Sequence, residues 1–309
     1  MTSIDRFRDR LIPWEHTTSA RFTVRGYHTP PSGKPVIHFV HGNGFCCLTY
    51  EHLLARLSER YDLFLSDVQG HGHSDHGGRF QGWNKTAAHC AAAWAAHRHL
   101  WPESAHFGVG HSFGGVVTAL MMAKDPALFE RAVLLDPVLF TPKMMGVMAL
   151  SDVVGLWRFN SMASRARKRR SHWDTLDEAF SYCHGRGMFR GWQDESLWSY
   201  VEHGLKADPK GGWRLKCRPS REAELFGSFP KRLWYALDRV RTPTHVIYGA
   251  SSYPFVGESA NRWVQQNPCV SRQEVKGGHC FMMENPKVAA DLVDQALAAD
   301  EMVSEAANA

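Results

Sequence analysis

Phe107-Gly-Val-Gly-His-Ser-Phe-Gly-Gly-Val-Val117 is the stretch on which the fold turns. Phe107 to Gly110 is a short apolar run that ends in small residues. Gly114 to Lys124 then reads as an apolar helix, stopped by Asp125-Pro126. Between them Gly110-His-Ser-Phe-Gly114 fits G-x-S-x-G. With a strand before it and a helix after it, the pentapeptide predicts a tight, strained turn that lifts a serine hydroxyl above the strand end. Small residues at both ends let neighbouring backbone pass. The N–H of Phe113 would then face a developing oxyanion, aided by the positive helix N-terminus. The bland alternative is a Gly-Ser turn without chemistry; the flanking elements favour Ser112 as a nucleophile.

Outward from this turn the chain alternates. Val36–Val40, Leu63–Leu65 and Ala132–Leu135 read as further buried strands, with helices over Leu48–Arg60 and Asn84–Leu100. Apolar strands separated by helices predict parallel βαβ units in a sheet covered on both faces. From Thr141 to about Arg239 the rhythm breaks into helical fragments without strand alternation. It resumes with a strand at Thr244–Tyr248, a helix at Ser259–Gln266, a strand at Val270–Val275 and a closing helix at Val288–Ala299; Glu301–Ala309 reads as a frayed tail.

Four motifs stand in order along the chain: His41-Gly-Asn-Gly-Phe45, Asp67-Val-Gln-Gly-His-Gly-His-Ser74, Gly110-His-Ser-Phe-Gly114 and Gly277-Gly-His279. In these motifs and their spacing the chain resembles the α/β-hydrolase superfamily over roughly residues 20–140 and 240–300. The resemblance implies an α/β-hydrolase fold: a mostly parallel sheet flanked by helices, with a helical cap inserted after the sixth strand. It divides the chain into a core, 1–140 and 240–309, and a cap or lid, 141–239. It also implies that Asn43 joins Phe113 in donating backbone N–H groups to the oxyanion. A serine nucleophile sets the chain apart from the related haloalkane dehalogenases and epoxide hydrolases, which use aspartate.

His279 lies between the last strand and the final helix, after two glycines that permit a sharp bend. Neutral imidazole has the proton affinity to take the serine proton at pH 7 and return it to a leaving group. Cys280 beside it reads as a packed thiol. His111 reads as a packing or hydrogen-bonding residue, and His71 and His73 as structural parts of their loop. The third member is less direct. The acid of this family usually falls shortly after the strand at Thr244–Tyr248, but the sequence there is Gly249-Ala-Ser-Ser252. Asp136, at the end of the preceding strand, keeps the required chain order. Its bland reading is an Asx turn before Pro137. Glu258, on the following helix, is the alternative acid, and a site without an acid is a third option. Ser252 would instead line the pocket.

Composition is that of an ordinary globular protein, and the resemblance implies an enzyme without cofactor or metal. Of 309 residues 44% are hydrophobic and 22% charged. Seven cysteines in an odd set without C-x-x-C favour a reduced, cytoplasmic chain. No signal peptide or membrane-spanning run is read from the sequence. The net charge of +5 is concentrated in 143–232, which includes the run Arg165, Arg167, Lys168, Arg169, Arg170. Such a run is ordinarily a solvated helix face; the sharper reading is attraction of anionic substrates or an acidic lipid surface. No nucleic-acid motif accompanies it. Trp157, Trp173, Trp192, Trp198, Trp213 and Trp234 lie in the cap, where they would close an apolar pocket or form the cap's own core. The expected partner is a small ester or acyl substrate, apolar or anionic, cleaved through an acyl-enzyme. Rivals on the same scaffold are a C–C hydrolase, peptidase or acyltransferase, a cofactor-free oxygenase, and a non-catalytic ligand-binding homologue.

Overall fold

A computed structural model describes residues 3–153, 155 and 160–298 of the chain. Trp157 and the tail beyond 298 therefore lie outside the described residues. The strands are β1 (Ile12–Thr17), β2 (Thr23–His28), β3 (Val36–Val40), β4 (Asp62–Asp67), β5 (His106–His111), β6 (Arg131–Leu135), β7 (His172–Trp173), β8 (Leu205–Ala207), β9 (Trp213–Leu215), β10 (Thr244–Gly249) and β11 (Val270–Val275). Eight of them form one sheet in the order β1-β2-β4-β3-β5-β6-β10-β11. Pairing is parallel from β4 to β11, and β2 joins β1 and β4 antiparallel. The β1–β2 hairpin had no clear signal in the sequence, because β1 buries only Trp14 and the two strands carry the polar residues Glu15, His16 and Arg25.

Side-chain alternation divides the sheet's apolar residues between two layers. Ile37, Phe39, Leu63, Leu65, Val109, Leu135 and Ile247 meet helices Glu51–Leu57 and Pro286–Ala298 through Leu53, Leu54, Leu57 and Val293. Val36, Val40, Phe64, Leu134 and Val246 face helices Trp83–His97, Phe113–Lys124 and Pro254–Gln266 through Trp94, Val117 and Trp263. The expectation of strands apolar throughout fails at β11, an edge strand whose middle residues are exposed. The helix expected at Ser259 starts earlier, at Pro254, whose fixed φ suits a first helical position.

Between β6 and β10 lie helices Pro142–Val153, Ser161–Lys168, Leu176–Cys183, Asp194–Gly204, Pro219–Phe226 and Leu233–Leu237. The segment is not purely helical: β7, β9 and β8 form a small antiparallel sheet. Its strands are two or three residues long, too short to show alternation in sequence. Most of its buried residues join the two layers of the large sheet. Trp173, Leu197 and Tyr200 belong to one and Leu225, Leu233 and Leu237 to the other.

Candidate active site

Ser112 stands where β5 gives way to helix Phe113–Lys124, at φ 55° and ψ −115°. A non-glycine residue holds such backbone only when its surroundings enforce it. They do so by close approach: a Cβ on Gly114 would lie 2.1 Å from the Val40 carbonyl oxygen, and one on Gly110 would lie 2.4 Å from that of Gly114. The Ser112 N–H donates to the Leu135 carbonyl at 2.9 Å, tying the turn to the end of β6.

His279 Nε2 lies 2.9 Å from Ser112 Oγ, and its Nδ1 lies 2.7 Å from Asp136 Oδ1. An ionised carboxylate only accepts, so Nδ1 carries the proton and Nε2 faces the serine hydroxyl as acceptor. Asp136 is fully buried just beyond β6, at φ 46°. Its other donors are the Gly249 N–H, at 2.8 Å from Oδ2, and the Ser252 hydroxyl, at 2.6 Å from Oδ1. Three donors compensate the burial of this charge. Glu258 is exposed on helix Pro254–Gln266, and both ring nitrogens of His279 are engaged elsewhere. The alternative acid thus sits outside the constellation. Ser252, expected to line the pocket, borders the wide groove beside His279 and also donates to Asp136. Its signal in the sequence was its place at the position where the acid was missing.

The His279 bend needs its glycines. Gly277 has φ 128°, and the Gly278 N–H donates to Glu284 Oε1 at 2.9 Å. A second chain of hydrogen bonds runs beneath the site. The Gly42 N–H donates to Tyr50 Oη at 3.0 Å, Tyr50 donates to His111 Nδ1 at 2.6 Å, and His111 Nε2 donates to the His279 carbonyl at 3.0 Å. Burial, reinforced by the nearby His279, holds His111 neutral, well below the ordinary histidine range. Burial likewise pushes the Tyr50 hydroxyl well up. Neither group titrates near pH 7, so the chain fixes three loops relative to one another without moving protons. Tyr50 was missed in the sequence because nothing local marks a tyrosine as a bridge.

The loop at His41–Phe45 completes the mouth. The Gly44 N–H donates to His71 Nε2 at 3.1 Å and the Val68 N–H to His41 Nε2 at 3.1 Å. Burial lowers both imidazoles, in keeping with these acceptor roles. His73 accepts from Lys216 at 3.1 Å; neither His71 nor His73 hydrogen-bonds Ser112 or His279. The inserted segment grips the same loop. Asn43 Nδ2 donates to the Glu222 carbonyl at 3.2 Å, and the Phe45 ring packs against Trp192 and Tyr200. Arg169 in turn pairs with Glu222 at 2.6 Å and donates to Tyr200 Oη at 2.8 Å. Arg170 pairs with Glu178. Arg169 and Arg170 of the basic run are thus occupied by acids of the same chain. Among the described residues, no acceptor bonds the backbone N–H of Asn43 or Phe113.

A cavity of about 340 Å³ opens from Ser112, His279, Asn43 and Phe113. Its wall is apolar, with Trp83, Phe140, Phe226 and Phe255 and four methionines, 144, 148, 162 and 188. Two polar residues of the wall are spent internally. Ser228 accepts from Trp83 Nε1 and donates to the Leu225 carbonyl, and the Asn160 side chain bonds Phe226 and Ala163 backbone. None of the five described tryptophans of the insertion lines this cavity; the one that does, Trp83, comes from a core helix. Burial pushes the Cys280 thiol far up, as suits a packed side chain. The arrangement can activate a serine hydroxyl, stabilise an anion beside it and hold an apolar group behind it.

Residues 31–181 match the family described as serine aminopeptidase, S33. A protein of Mycobacterium phage D29 named as a non-heme haloperoxidase is 25% identical over 279 residues, spanning 88% of this chain and 90% of that protein. Among solved structures, E-2-(acetamidomethylene)succinate hydrolase superposes with a TM-score of 0.74 at 20% identity, covering 93% of this chain and 99% of that one. An esterase of Mycobacterium tuberculosis gives 0.69 at 18% identity, covering 96% and 99%.

Proposed function

This chain belongs to the α/β-hydrolase superfamily of enzymes, and we propose that it is a serine hydrolase that cleaves carboxylic esters with an apolar acyl group. The observation that carries this reading is the unbroken hydrogen-bonded line from Ser112 Oγ through His279 to Asp136, opening on an apolar cavity. Ser112 Oγ attacks the ester carbonyl carbon as its proton passes to His279 Nε2. The carbonyl oxygen becomes an oxyanion facing the Asn43 and Phe113 N–H groups, each of which is worth a factor of about 10² to 10³ in such sites. On collapse the carbon–alkoxide bond breaks and His279 returns the proton to the leaving oxygen. Water, activated by the same imidazole, then attacks the acyl-enzyme and frees the acid and Ser112. Asp136 holds the ring in the required tautomer and stabilises it while charged.

The cavity wall supports an apolar acyl group, because aromatic and methionine side chains dominate it and its Ser228 and Asn160 side chains are already bonded within the protein. The volume equals the share of roughly eleven water molecules, room for a medium-length chain. Met188, Tyr253 and His279 border a second, wide groove of about 1180 Å³. This suits departure of the alcohol on the face where His279 delivers its proton. The segment 141–239 takes the part of a cap: it supplies the methionines over the chamber and braces the oxyanion loop.

The test is reaction with a fluorophosphonate followed by intact mass measurement. Wild type should gain one adduct, located on Ser112, and Ser112→Ala none. Turnover of p-nitrophenyl esters should rise with acyl length to about six to eight carbons and then fall. A wild-type chain that takes up no adduct would refute the reading, whatever its turnover of amides, diketones or acyl acceptors.

A further inference from the structure

Helix Pro142–Val153 is apolar on two opposite faces. Met144 and Met148 point into the catalytic cavity, and Met148 is almost fully buried. On the other side Val147, Leu150 and Val153 are 56%, 75% and 83% exposed. At 100° per residue, Gly146, Val147, Ala149, Leu150 and Val153 share one continuous outer arc, interrupted only by Lys143. Isolated exposed leucines need no explanation, but a helix that turns an apolar arc with a single lysine outward is matched to a non-aqueous neighbour. Met162 of helix Ser161–Lys168, 40% exposed, lines the same cavity as Met144 and Met148, so both helices border one chamber.

Charge identifies the neighbour. Ser161–Lys168 buries Ala163 and Ala166 and exposes Arg165, Arg167 and Lys168. Lys143, Arg165 and Lys168 have no acidic partner among the described residues, unlike Arg169 and Arg170. The two helices contain one acid, Asp152, and it is paired with Lys231 at 3.2 Å. An apolar arc beside unopposed cations is the pattern of a surface that sits at the boundary of an anionic bilayer, with aliphatic side chains among the acyl chains and cations at the headgroups. A second copy of the chain would bring cations against cations.

We propose that helices Pro142–Val153 and Ser161–Lys168 form a docking surface for an anionic lipid bilayer. The same two helices roof the catalytic chamber, so the docked face lies one helix thickness from the cavity. Binding and chemistry are separable, since binding is read without turnover and Ser112→Ala should bind as wild type does.

The experiment is co-sedimentation of the full chain with phosphatidylcholine vesicles and with equimolar phosphatidylcholine and phosphatidylglycerol vesicles. Uptake should favour the anionic vesicles and decline with added salt. Val147→Glu/Leu150→Glu should weaken it about tenfold or more, and Arg165→Gln/Lys168→Gln roughly tenfold. All four positions are exposed, so melting temperature and hydrolysis of a short soluble ester should not change. Equal uptake by both vesicles, no uptake at about millimolar lipid, or unchanged uptake by either variant would overturn the proposal. So would a concentration-dependent dimer, lost in the glutamate variant, with no uptake by vesicles.

Discussion

The two halves of the active site are held by different parts of the molecule. On the acid–base side, Asp136 follows β6, its partners Gly249 and Ser252 end or follow β10, and His279 follows β11. All are anchored at adjacent strand ends of one parallel sheet. On the oxyanion side, Asn43 and Phe45 leave β3 but are steadied by Glu222, Trp192 and Tyr200 from the insertion. In the proposed mechanism, proton transfer is therefore built on the sheet, and the part of oxyanion stabilisation assigned to Asn43 depends on how the insertion sits. Damage to one half should spare the other, and the effects should rank by how directly a residue meets the reacting atoms.

The largest effect belongs to the sheet-held half. Asp136→Asn would place an amide where Nδ1–H needs an acceptor and favour the wrong tautomer. Turnover should fall about 10⁴-fold while fluorescence and melting stay close to wild type. Glu258→Gln, on its exposed helix, should leave kcat unchanged. If the two results were exchanged, the acid would have been misidentified and the comparison between the halves would collapse with it.

Arg169→Met attacks the other half from a distance. It strands the buried Glu222 carboxylate, a loss of roughly 3–5 kcal/mol for pairs of this kind. It also frees the segment whose Glu222 carbonyl holds Asn43. Urea unfolding should register the first effect. A kcat lowered tenfold or more at constant KM should register the second, because the substrate's ground state does not need the oxyanion donors. Arg169→Met/Glu222→Gln should recover much of the stability. A destabilised variant with wild-type kcat would show that the insertion does not support the oxyanion loop.

The joint between insertion and core also carries a pH signature. Glu51, on a core helix, accepts from Arg8, from Ser199 and His203 of the insertion, and is almost fully buried. Burial alone would raise its pKa, but the bonds from His203 and Arg8 hold it down to about 2, against 4.5 for an ordinary glutamate. A depressed carboxylate stabilises the fold fully above its unfolded pKa and loses that contribution as pH falls through the folded one. On the order of 3 kcal/mol should disappear between about pH 4.5 and 2. The buried His38, pushed down to about 3, also erodes stability, but from pH 6.5 downward. The difference between wild type and Glu51→Gln in urea midpoints therefore isolates the glutamate. That difference should shrink toward acid, and one independent of pH would contradict the assignment.

Legibility in the sequence followed the same division. Buried parallel strands, the bend at Ser112 and the glycines before His279 write themselves locally, since each needs particular residue types at fixed spacing. Asp136 could be weighed because chain order limits where an acid can stand. The insertion's role was not legible. Its tryptophans leave a pocket wall and a core of the cap equally open, and the five described ones line no part of the catalytic cavity; nor does the sequence say which cations of the basic run meet acids, as Arg169 and Arg170 do. Pairing across 53 residues, as between Arg169 and Glu222, leaves no periodic trace. The bridge of Tyr50 and His111 across 61 residues is equally silent.

The smallest effect is the most informative about where this site departs from the pattern that its motifs imply. Ser252 occupies the position where the acid was expected, and its hydroxyl donates to the same Oδ1 that receives His279 Nδ1–H. Ser252→Ala leaves Asp136 with the Gly249 and His279 donors, so the carboxylate stays in place but is less firmly aimed. A lost hydrogen bond to a charged group is worth about 1.5 kcal/mol or somewhat more. The expected cost is therefore about tenfold in kcat, if that bond serves the ring's orientation in the transition state. KM should not move, and Ser252→Thr, which keeps the hydroxyl, should recover most of the rate. A rise in KM at constant kcat would instead make Ser252 a substrate contact, and the sheet-held half would end at Gly249.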